Sequence, residues 1–461
     1  MARILLIDPP FSAFMGFSRW FFPMGPAVLA NFLMGKGHEV LVYDADHIDS
    51  DVSFNYSQML RAFEDYRSHV NDLSHQVYRQ IADMVKDFAP DVVGISCMSV
   101  KVPAALASAE TVKDNIDVPV VCGGPHATKL PEHLLKSPYV NYVIRESGLA
   151  SFDLLVDQLA GSESMEPGKI PNLSYNSDGK NIVHNPVSHR EWESMSWYPA
   201  RGALKAPGQY GPHDMSMIMA SIGCPFECQF CARTFDDQLV HRRVENICTE
   251  IEELVNNHGV DFLHFKDDTM GTNKSRLRDI CEIIAANDAI SGWECLTRID
   301  VADDEALTLL KGSKCLRVKV GVESGSPAVL KQLNKRITPE DVIDFSSRAK
   351  KHDLPWSAFY MIGLPDETPD DILLTLNLIE KSRPNHVSMS IFTPYPGSHM
   401  YDQLMREGRM PAEIDWSALD PFSLAPQLER AIAHDEFVNI ATEVMAFVDG
   451  YNQDSDWNDK A

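Results

Sequence analysis

Short runs of apolar, β-branched residues alternate with helix-like segments along most of this chain. RILLID at 3–8 and EVLVYD at 39–44 flank a segment, 25–38, that has the residue pattern of a helix ended by glycine. Two further runs of the first type are DVVGIS at 91–96 and VPVVCGG at 118–124. Strands separated by helices form parallel sheets covered by helices on both faces. The first 165 residues therefore predict an α/β, Rossmann-like domain.

A second series of strand and helix patterns begins near residue 215. Six runs with strand character follow one another, among them FLHFKD at 262–267, LRVKVGVES at 316–324 and SAFYMIG at 357–363. Six βα units of this size predict a barrel or part of a barrel. In such barrels the chemistry takes place at the carboxyl ends of the strands.

Length and local composition indicate where the domains begin and end. The chain has 461 residues, more than a single hydrophobic core usually holds. Residues 166–205 are rich in Gly, Pro, Asn and Ser, which predicts a linker with a small hairpin at 177–179. We expect a Rossmann-like domain at 1–165, this linker at 166–205, a barrel at 206–410 and a small α-rich C-terminal region at 411–461.

Charge and composition exclude several classes of function. A formal net charge of −25 would repel the phosphates of nucleic acids and of anionic membranes. No apolar run reaches the roughly 20 residues of a membrane span, and the start of the chain lacks the pattern of a secretory signal. We therefore expect a cytoplasmic protein with no nucleic-acid partner and no membrane span.

The cysteines fall into two groups. Six of the nine stand singly in apolar or helical contexts, as reduced, buried thiols do: Cys97, Cys122, Cys248, Cys281, Cys295 and Cys315. The other three, Cys224, Cys228 and Cys231, lie within eight residues in the stretch ASIGCPFECQFCARTF, 220–235.

Three close cysteines can hold different metals. A structural zinc site needs four ligands, usually as paired C-x2-C elements, and no second close pair follows here. A 4Fe–4S cluster that only carries electrons takes four thiolates. With three thiolates, one iron keeps an open position for a substrate-like molecule. We favour this open cluster over the alternatives, which are zinc and unrelated buried thiols.

The spacing C-x3-C-x-Φ-C, with Phe230 as the aromatic residue, resembles the signature of the radical S-adenosylmethionine (SAM) superfamily. The resemblance implies that the amino and carboxylate groups of SAM chelate the fourth iron. It also implies that one-electron reduction of bound SAM yields a 5′-deoxyadenosyl radical, with Phe230 packed beside the cluster or the adenine.

Residues at the ends of the later strands fit the same resemblance. Asp267 and Asp268, in FKDDTM, are candidate acceptors for the SAM ammonium group, the alternative being helix caps. Arg298, in LTRID, is a candidate partner of the SAM carboxylate, or else forms a surface salt bridge. Glu323, in GVESGS, resembles the residue that contacts the ribose or methionine part of SAM. Gly363, in MIGLPDET, would let the adenine approach closely, or would serve a turn.

A Rossmann-like domain ahead of such a barrel resembles the cobalamin-binding subfamily of radical SAM enzymes. In that subfamily's terms, Ser96 and Met98 in GISCMS stand in place of an S-x-L turn. Gly123, Gly124 and His126, in CGGPHAT, match its later glycine pair. Paired glycines allow close approach of the backbone to a bulky ligand.

One cobalamin motif is missing. After Asp8 the chain continues with prolines and a phenylalanine, so the D-x-H-x-x-G loop and its histidine are absent. Two interpretations stay open: cobalamin bound without a histidine beneath the cobalt, or a vestigial domain in an enzyme that uses SAM alone. We favour cobalamin binding.

The resemblance implies an enzyme that cleaves SAM at a 4Fe–4S cluster. The leading hypothesis is a cobalamin-dependent methyltransferase acting on an unactivated carbon of a small molecule or natural-product intermediate. The alternative is a radical SAM dehydratase, oxidative cyclase or rearrangement enzyme with a vestigial cobalamin domain. A third hypothesis is a non-enzymatic carrier of cobalamin or of an iron–sulfur cluster. We expect a small-molecule substrate and an electron donor such as flavodoxin or ferredoxin; no residue identifies itself as the hydrogen-abstraction partner.

Overall fold

A computed structural model of the protein describes residues 1–17, 21–50, 52–160, 165–188, 198–233 and 239–453. The chain divides into two compact units. The first contains Met1–Ser53, Ala62–Gly211 and Asp415–Leu419, and the second contains Phe54–Arg61, Pro212–Ile414 and the segment that begins at Asp420. The chain thus contributes to each unit from more than one segment.

A single sheet forms the centre of the first unit. Its strands are β1 (Arg3–Asp8), β2 (Glu39–Asp44), β3 (Val92–Ser96), β4 (Val120–Gly123), β5 (Tyr142–Ile144), β6 (Leu173–Asn176) and β7 (Ile182–His184). Their order is β2-β1-β3-β4-β5-β6-β7, and β1 to β5 are parallel. The central strands β1 and β3 are rich in buried Val, Ile and Leu, as suits strands covered on both faces.

Helices connect these strands. They are α1 (Ser12–Met15), α2 (Met24–Gly35), α3 (Tyr56–His69), α4 (Gln76–Phe88), α5 (Val102–Asn115), α6 (Pro125–Lys129), α7 (Pro131–Leu135) and α8 (Leu149–Ala160). Short 3-10 helices occupy Pro167–Lys169, Arg201–Ala203, Pro207–Gln209 and Trp416–Ala418.

The segment that composition indicates to be a linker adds strands to this sheet. β6 pairs antiparallel with β5, and β7 pairs antiparallel with β6. Asp178 holds the turn between them, since its carboxylate accepts the backbone N–H groups of Lys180 and Asn181 at 2.9 and 2.8 Å. Local pattern predicts the hairpin. The hairpin extends the Rossmann-like sheet because β5 would otherwise present an unpaired edge.

The second unit is a βα series. Its strands are β8 (Met217–Ile218), β9 (Ser221–Ile222), β10 (Val240–His241), β11 (Phe262–Phe265), β12 (Gly292–Thr297), β13 (Cys315–Glu323), β14 (Trp356–Ile362) and β15 (His386–Ile391). The main sheet is parallel, in the order β15-β14-β13-β12-β11-β8, and β9 pairs antiparallel with β10. Each strand of the main sheet lies beside its predecessor in the series, as in a partial TIM-type barrel. The predicted α/β fold class, a Rossmann-like domain followed by a partial barrel, is confirmed.

Most helices of this unit follow a strand. The described helices of the unit are α9 (Pro212–Met215), α10 (Val244–His258), α11 (Lys274–Ala286), α12 (Asp304–Gly312), α13 (Pro327–Gln332), α14 (Pro339–Lys351), α15 (Pro369–Ser382), α16 (His399–Glu407) and α17 (His434–Gln453). The sequences TPED and TPDD start α14 and α15. In both, a threonine caps the helix, proline takes the first position and an aspartate completes a capping box.

The last helix, α17, packs on the edge strand β15. Asn452 pairs with the backbone of Val387, accepting its N–H at 2.9 Å and donating to its carbonyl at 2.8 Å. This contact occupies backbone groups that an edge strand would otherwise expose. None of the described helices is both long enough and apolar enough to cross a bilayer.

Candidate functional site

The three cysteines lie in the loop that follows β9, after a turn at Gly223, whose φ is +87°. Cys228 is buried, Cys224 half-buried and Cys231 exposed. Sulfur atoms around one zinc ion, each about 2.3 Å from it, would lie within about 4 Å of one another. The three Sγ atoms do not all lie within 4.8 Å of one another, which is wider than the spacing expected around a single zinc ion.

Backbone hydrogen bonds hold the loop in place. Gln229 N donates to Leu333 O, and Gln229 O accepts from Met400 N, both at 3.0 Å. Asn334 Nδ2 donates to Glu227 O at 2.9 Å, and Arg233 donates to Phe226 O at 2.6 Å. The loop between the cysteines is therefore anchored to the segment after α13 and to the first turn of α16.

Phe230, the aromatic residue of the motif, is half-buried. It packs against the apolar cluster at the carboxyl ends of the last barrel strands, which includes Leu333, Met361, Leu364 and Phe392. Lys335 Nζ lies 5.7 Å from the centre of its ring. Phe230 thus separates the cysteine loop from the core of the unit.

The two aspartates after β11 lie in different environments. Asp267 is buried, and its carboxylate accepts Ala220 N at 2.9 Å and Ser221 Oγ at 2.5 Å. Burial raises the pKa of Asp267 to about 6, although these hydrogen bonds lower it. Asp267 therefore fastens the start of the cysteine loop to β11, a role that neither SAM contact nor helix capping describes. Asp268 is exposed and accepts the N–H of Gly223, beside the cysteines.

Thr269, which the motif analysis did not single out, lies between Asp268 and a cysteine. Its Oγ1 is 3.4 Å from Cys224 Sγ and donates to the Asp268 carbonyl at 2.7 Å. A hydroxyl has a single hydrogen, so this donation leaves Thr269 an acceptor toward the thiol. The only sequence signal for Thr269 is its position at the end of a barrel strand.

Arg298, at the end of β12, is buried and fully surrounded. Its guanidinium pairs with both oxygens of Asp300 at 2.9 Å, donates to Lys335 O at 2.7 Å and stacks 4.0 Å over the ring of Phe226. The remaining terminal nitrogen, Nη1, lies 3.5 Å from Cys228 Sγ. Arg298 therefore does not form a surface salt bridge, and its guanidinium is not directed at open solvent.

Glu323 ends β13 beside a cation that sequence reasoning missed. Lys335 Nζ donates to Glu323 Oε1 at 2.7 Å, and both side chains are buried. Glu323 has φ of +75°, a left-handed conformation that non-glycine residues rarely adopt. A Cβ at Gly321 would lie 2.2 Å from Glu323 Oε1, so this glycine makes room for the pair. Lys335 follows a short helix and carries no local motif, which is why pattern analysis does not find it.

Gly363, at the end of β14, contacts the C-terminal segment. Its φ is +83°, and a Cβ there would lie 2.5 Å from the ring of Phe437 and 3.2 Å from Arg430 Nε. Arg430 Nε donates to the Gly363 carbonyl at 2.8 Å. The space that the missing side chain leaves is thus filled by Phe437.

The residues matched to a cobalamin module lie at the carboxyl edge of the first unit's sheet. Ser96 and Gly123 end the paired strands β3 and β4, and Met98 is 48% exposed. Gly124 has φ of +107°, and a Cβ there would lie 3.1 Å from the carbonyl oxygen of Cys97. The close approach at Gly124 is therefore to the neighbouring loop. Met98, Ser96 and Gly123 offer an edge that a large ligand can contact.

His126 does not face that edge. It is buried, with Nδ1 3.2 Å from Ser99 Oγ and Nε2 3.1 Å from His133 Nδ1, and its ring packs on Trp416. Burial, followed by the neighbouring His133, lowers the pKa of His126 to about 3, so it is neutral. Both ring nitrogens are engaged, so His126 is not presented to a metal.

The loop that replaces the missing histidine motif is closed by a buried ion network. Lys101 Nζ lies 2.9 Å from Asp8 Oδ2, from Asp46 Oδ2 and from Pro9 O. Asp46 also accepts the backbone N–H of Phe11 at 2.6 Å. These contacts fix the loop after β1, and residues 9–17 contain no histidine that this loop could offer to a bound cobalamin.

Comparison with known proteins finds a family match for each of the two predicted domains. The model of the radical SAM superfamily matches residues 218–379, and that of the B12 binding domain matches 21–156. An uncharacterised methyltransferase of Pyrococcus horikoshii is 31% identical over 340 residues, 70% of this chain and 72% of that protein. The anaerobic magnesium-protoporphyrin IX monomethyl ester cyclase of Rubrivivax gelatinosus is 23% identical over 356 residues, 72% of this chain and 61% of that protein.

A solved structure shares the fold. The radical SAM methyltransferase TsrM from Kitasatospora setae, with cobalamin and a 4Fe–4S cluster bound, matches with a TM-score of 0.68 and 17% identity, over 88% of this chain and 78% of that chain. The two family matches confirm the enzyme class and the cofactors predicted from the sequence: a 4Fe–4S cluster, SAM and cobalamin. The chain belongs to the radical SAM superfamily, among the enzymes that carry a B12-binding domain ahead of the radical SAM domain.

Proposed function

We propose that the protein is a cobalamin-dependent methyltransferase that acts on an unactivated carbon of a small molecule. The observation that carries this proposal is that one chain combines a three-cysteine loop on a partial barrel with a B12-binding domain. The names of the relatives from P. horikoshii and K. setae, both methyltransferases, support it.

When bound, the reduced cluster and SAM supply a 5′-deoxyadenosyl radical, and cobalamin supplies a methyl carrier. The chain's part is to bind, orient and shield these groups. Cys224, Cys228 and Cys231 are the proposed cluster ligands. Asp268, exposed beside them, is the proposed acceptor for the SAM ammonium group, while Asp267 acts by holding the loop.

The proposed SAM carboxylate and ribose contacts lie around Glu323. Lys335 is the proposed cation for the carboxylate, because it is buried beside Glu323 and near Phe230. The guanidinium of Arg298, the cation expected from the sequence, is engaged with Asp300 and with Lys335 O. Phe230 and the apolar cluster behind it exclude water from this side of the site. A dry surrounding protects a carbon radical from side reactions and strengthens the ionic contacts to SAM. Gly363 is proposed to shape the adenine side through its contact with Phe437.

On the cobalamin side, the proposed contacts are Ser96, Met98, Gly123 and Gly124. His126 supports this edge from behind, through Ser99 and His133. The Lys101 network keeps the loop after β1 closed, and this loop would offer no histidine to a bound cobalamin. We further propose that the electron donor is a flavodoxin or ferredoxin and that the enzyme works in the cytoplasm.

Product analysis tests methyl transfer. Protein reconstituted anaerobically with iron, sulfide and cobalamin would be incubated with SAM, reductant and candidate substrates, and both SAM-derived products would be quantified. Methyl transfer predicts S-adenosylhomocysteine and 5′-deoxyadenosine in comparable amounts, and Cys228→Ala should abolish the deoxyadenosine. Deoxyadenosine without S-adenosylhomocysteine would contradict the proposal.

The second candidate is a radical reaction without methyl transfer, such as an oxidative cyclisation. The match to a cyclase of R. gelatinosus over 72% of this chain favours it. It predicts full activity in protein that shows no corrin absorbance after growth with cobalamin. Loss of activity when cobalamin is withheld would exclude it.

A further inference from the structure

We propose that Arg298 is a positioning residue that sets the reduction potential of the cluster through Cys228. This inference rests on the cysteine ligands of the proposed function. The sequence associates Arg298 with the SAM carboxylate, but the contacts of its guanidinium point to a cluster ligand instead.

Arg298 is held rigidly. Asp300 takes Nε and Nη2 in a two-pronged ion pair, both at 2.9 Å, and Lys335 O takes a further hydrogen of Nη2 at 2.7 Å. Phe226, which lies between Cys224 and Cys228 in the loop, covers one face of the guanidinium at 4.0 Å. Such a fork fixes the direction of the whole planar group.

The nitrogen left by these contacts is directed at sulfur. Nη1 lies 3.5 Å from Cys228 Sγ, and both residues are buried, with side-chain exposures near 7% for Arg298 and residue exposure of 8% for Cys228. A guanidinium stays protonated, so this contact puts a permanent cation on one thiolate. The low dielectric of a buried site strengthens the interaction.

The other two cysteines have different neighbours. Cys224 faces the hydroxyl of Thr269, whose hydrogen goes to the Asp268 carbonyl, and Cys231 is exposed. Among the contacts of the described residues, the cationic donor therefore falls on Cys228. The three iron–thiolate bonds are unequal, with Cys228 the most strongly polarised.

The consequence for reduction has a definite sign. Reduction adds one electron from dithionite to the oxidised cluster and breaks no bond, so the reduced form carries one more negative charge. A cationic hydrogen-bond donor on a cluster thiolate stabilises that form and raises the potential. Asp300 opposes this effect, because its carboxylate neutralises part of the guanidinium charge.

Two substitutions should move the potential in opposite directions. The potential is followed by EPR during a dithionite titration of the reconstituted protein without SAM. Arg298→Gln should lower the equilibrium constant for reduction at least tenfold, which is 59 mV for one electron. Asp300→Asn keeps Arg298 and removes its counter-charge, so it should raise the potential. If Arg298→Gln fails to retain the cluster, the shift in Asp300→Asn alone decides.

Arg336→Gln is the matched control. It removes a cation from the same loop region, where Arg336 pairs with Glu227 at 3.2 Å on the surface, and should change the constant less than threefold. Unchanged potentials in both test variants would overturn the inference. A shift in Arg298→Gln that is seen only when SAM is present would also overturn it, because Arg298 would then act on the SAM carboxylate. Wild-type protein that takes up no iron–sulfur cluster would instead contradict the proposed function.

Discussion

Lys335 Nζ donates to Glu323 Oε1 at 2.7 Å in the interior of the barrel unit, twelve residues apart in the chain. The pair joins the end of β13 to the segment that also holds the cysteine loop through Leu333 and Asn334. Glu323 adopts φ of +75° to reach it. A strained residue in a buried ion pair beside the proposed cofactor site indicates that the pair serves the site.

Gly321→Ala should disrupt SAM binding. The new Cβ would come within 2.2 Å of Glu323 Oε1 and 2.8 Å of Lys335 Nζ, so the pair must move. We expect at least a tenfold loss of SAM affinity, measured by equilibrium dialysis on the reconstituted protein. Gly312→Ala is the control, since a Cβ there meets no described atom within 4 Å and affinity should stay unchanged. Equal affinities of the two variants would contradict a role for the pair.

Gly363→Ala should destabilise the fold through two effects. The left-handed φ of +83° strains any L side chain, and the Cβ would meet the buried ring of Phe437 at 2.5 Å. Strain and overpacking together cost about 2–6 kcal/mol. Gly408→Ala, at φ of +70° with no described atom within 4 Å of the Cβ, isolates the strain. Urea denaturation should show a larger loss of unfolding free energy for Gly363→Ala than for Gly408→Ala. Equal losses would mean that the ring of Phe437 moves aside at no cost.

Stability should fall as pH rises because of Glu367. Its carboxylate is buried and accepts Gly363 N at 2.5 Å and Leu364 N at 3.2 Å. Burial raises its pKa from 4.5 to about 7, although the two hydrogen bonds act in the opposite direction. Because its folded-state pKa is raised, Glu367 contributes stability that is fully present below about pH 4.5 and is lost as pH rises toward 7. The loss is about 3 kcal/mol at 1.36 kcal/mol per pKa unit.

Glu367→Gln removes this titration while keeping an acceptor oxygen. Urea midpoints at pH 5 and pH 8 should therefore differ less in Glu367→Gln than in the wild type. Glu340→Gln, at an exposed position, should keep the wild-type pH dependence. The same pH dependence in all three proteins would show that Glu367 does not titrate in this range.

Lys101→Met should destabilise the first unit. It leaves Asp8 and Asp46 as buried carboxylates without their shared cation. Breaking a buried pair in this way costs about 3–5 kcal/mol. Lys113→Met, near the other end of α5, breaks a 3.8 Å contact with the exposed Asp117 and should cost less than about 1 kcal/mol. Thermal unfolding of the two variants checks this, and similar melting temperatures would contradict it.

The sequence predicts elements better than it predicts their partners. The bounds of β1 and β2 match the apolar runs at 3–8 and 39–44 because strand pattern is local. The hairpin at 173–184 is also predictable, but the choice of β5 as its partner depends on which edge is free in three dimensions. The first strand of the second series, expected from near residue 215, is instead divided into the short strands β8 and β9, and Asp267 accepts hydrogen bonds from Ala220 and Ser221 where they meet.

Site residues follow the same rule. The cysteine trio is recognisable because its ligands are close in sequence. The partner of Arg298 is Cys228, 70 residues away, and the group that fills the space at Gly363 is Phe437, 74 residues away. Lys335 has no pattern of its own and is defined only by the fold around Glu323. Long-range packing, which residue spacing does not encode, decides these contacts.

The EPR spectrum of the reduced cluster, recorded with and without SAM, decides whether Cys224, Cys228 and Cys231 hold a 4Fe–4S cluster with one open iron. We expect about four irons per chain in reconstituted protein and a reduced-cluster signal whose g values change when SAM is added. Cys228→Ala should lose both the bound iron and the reduced-cluster signal. A signal that SAM leaves unchanged, or protein that binds a single zinc ion in place of iron, would contradict an open 4Fe–4S cluster on these three cysteines.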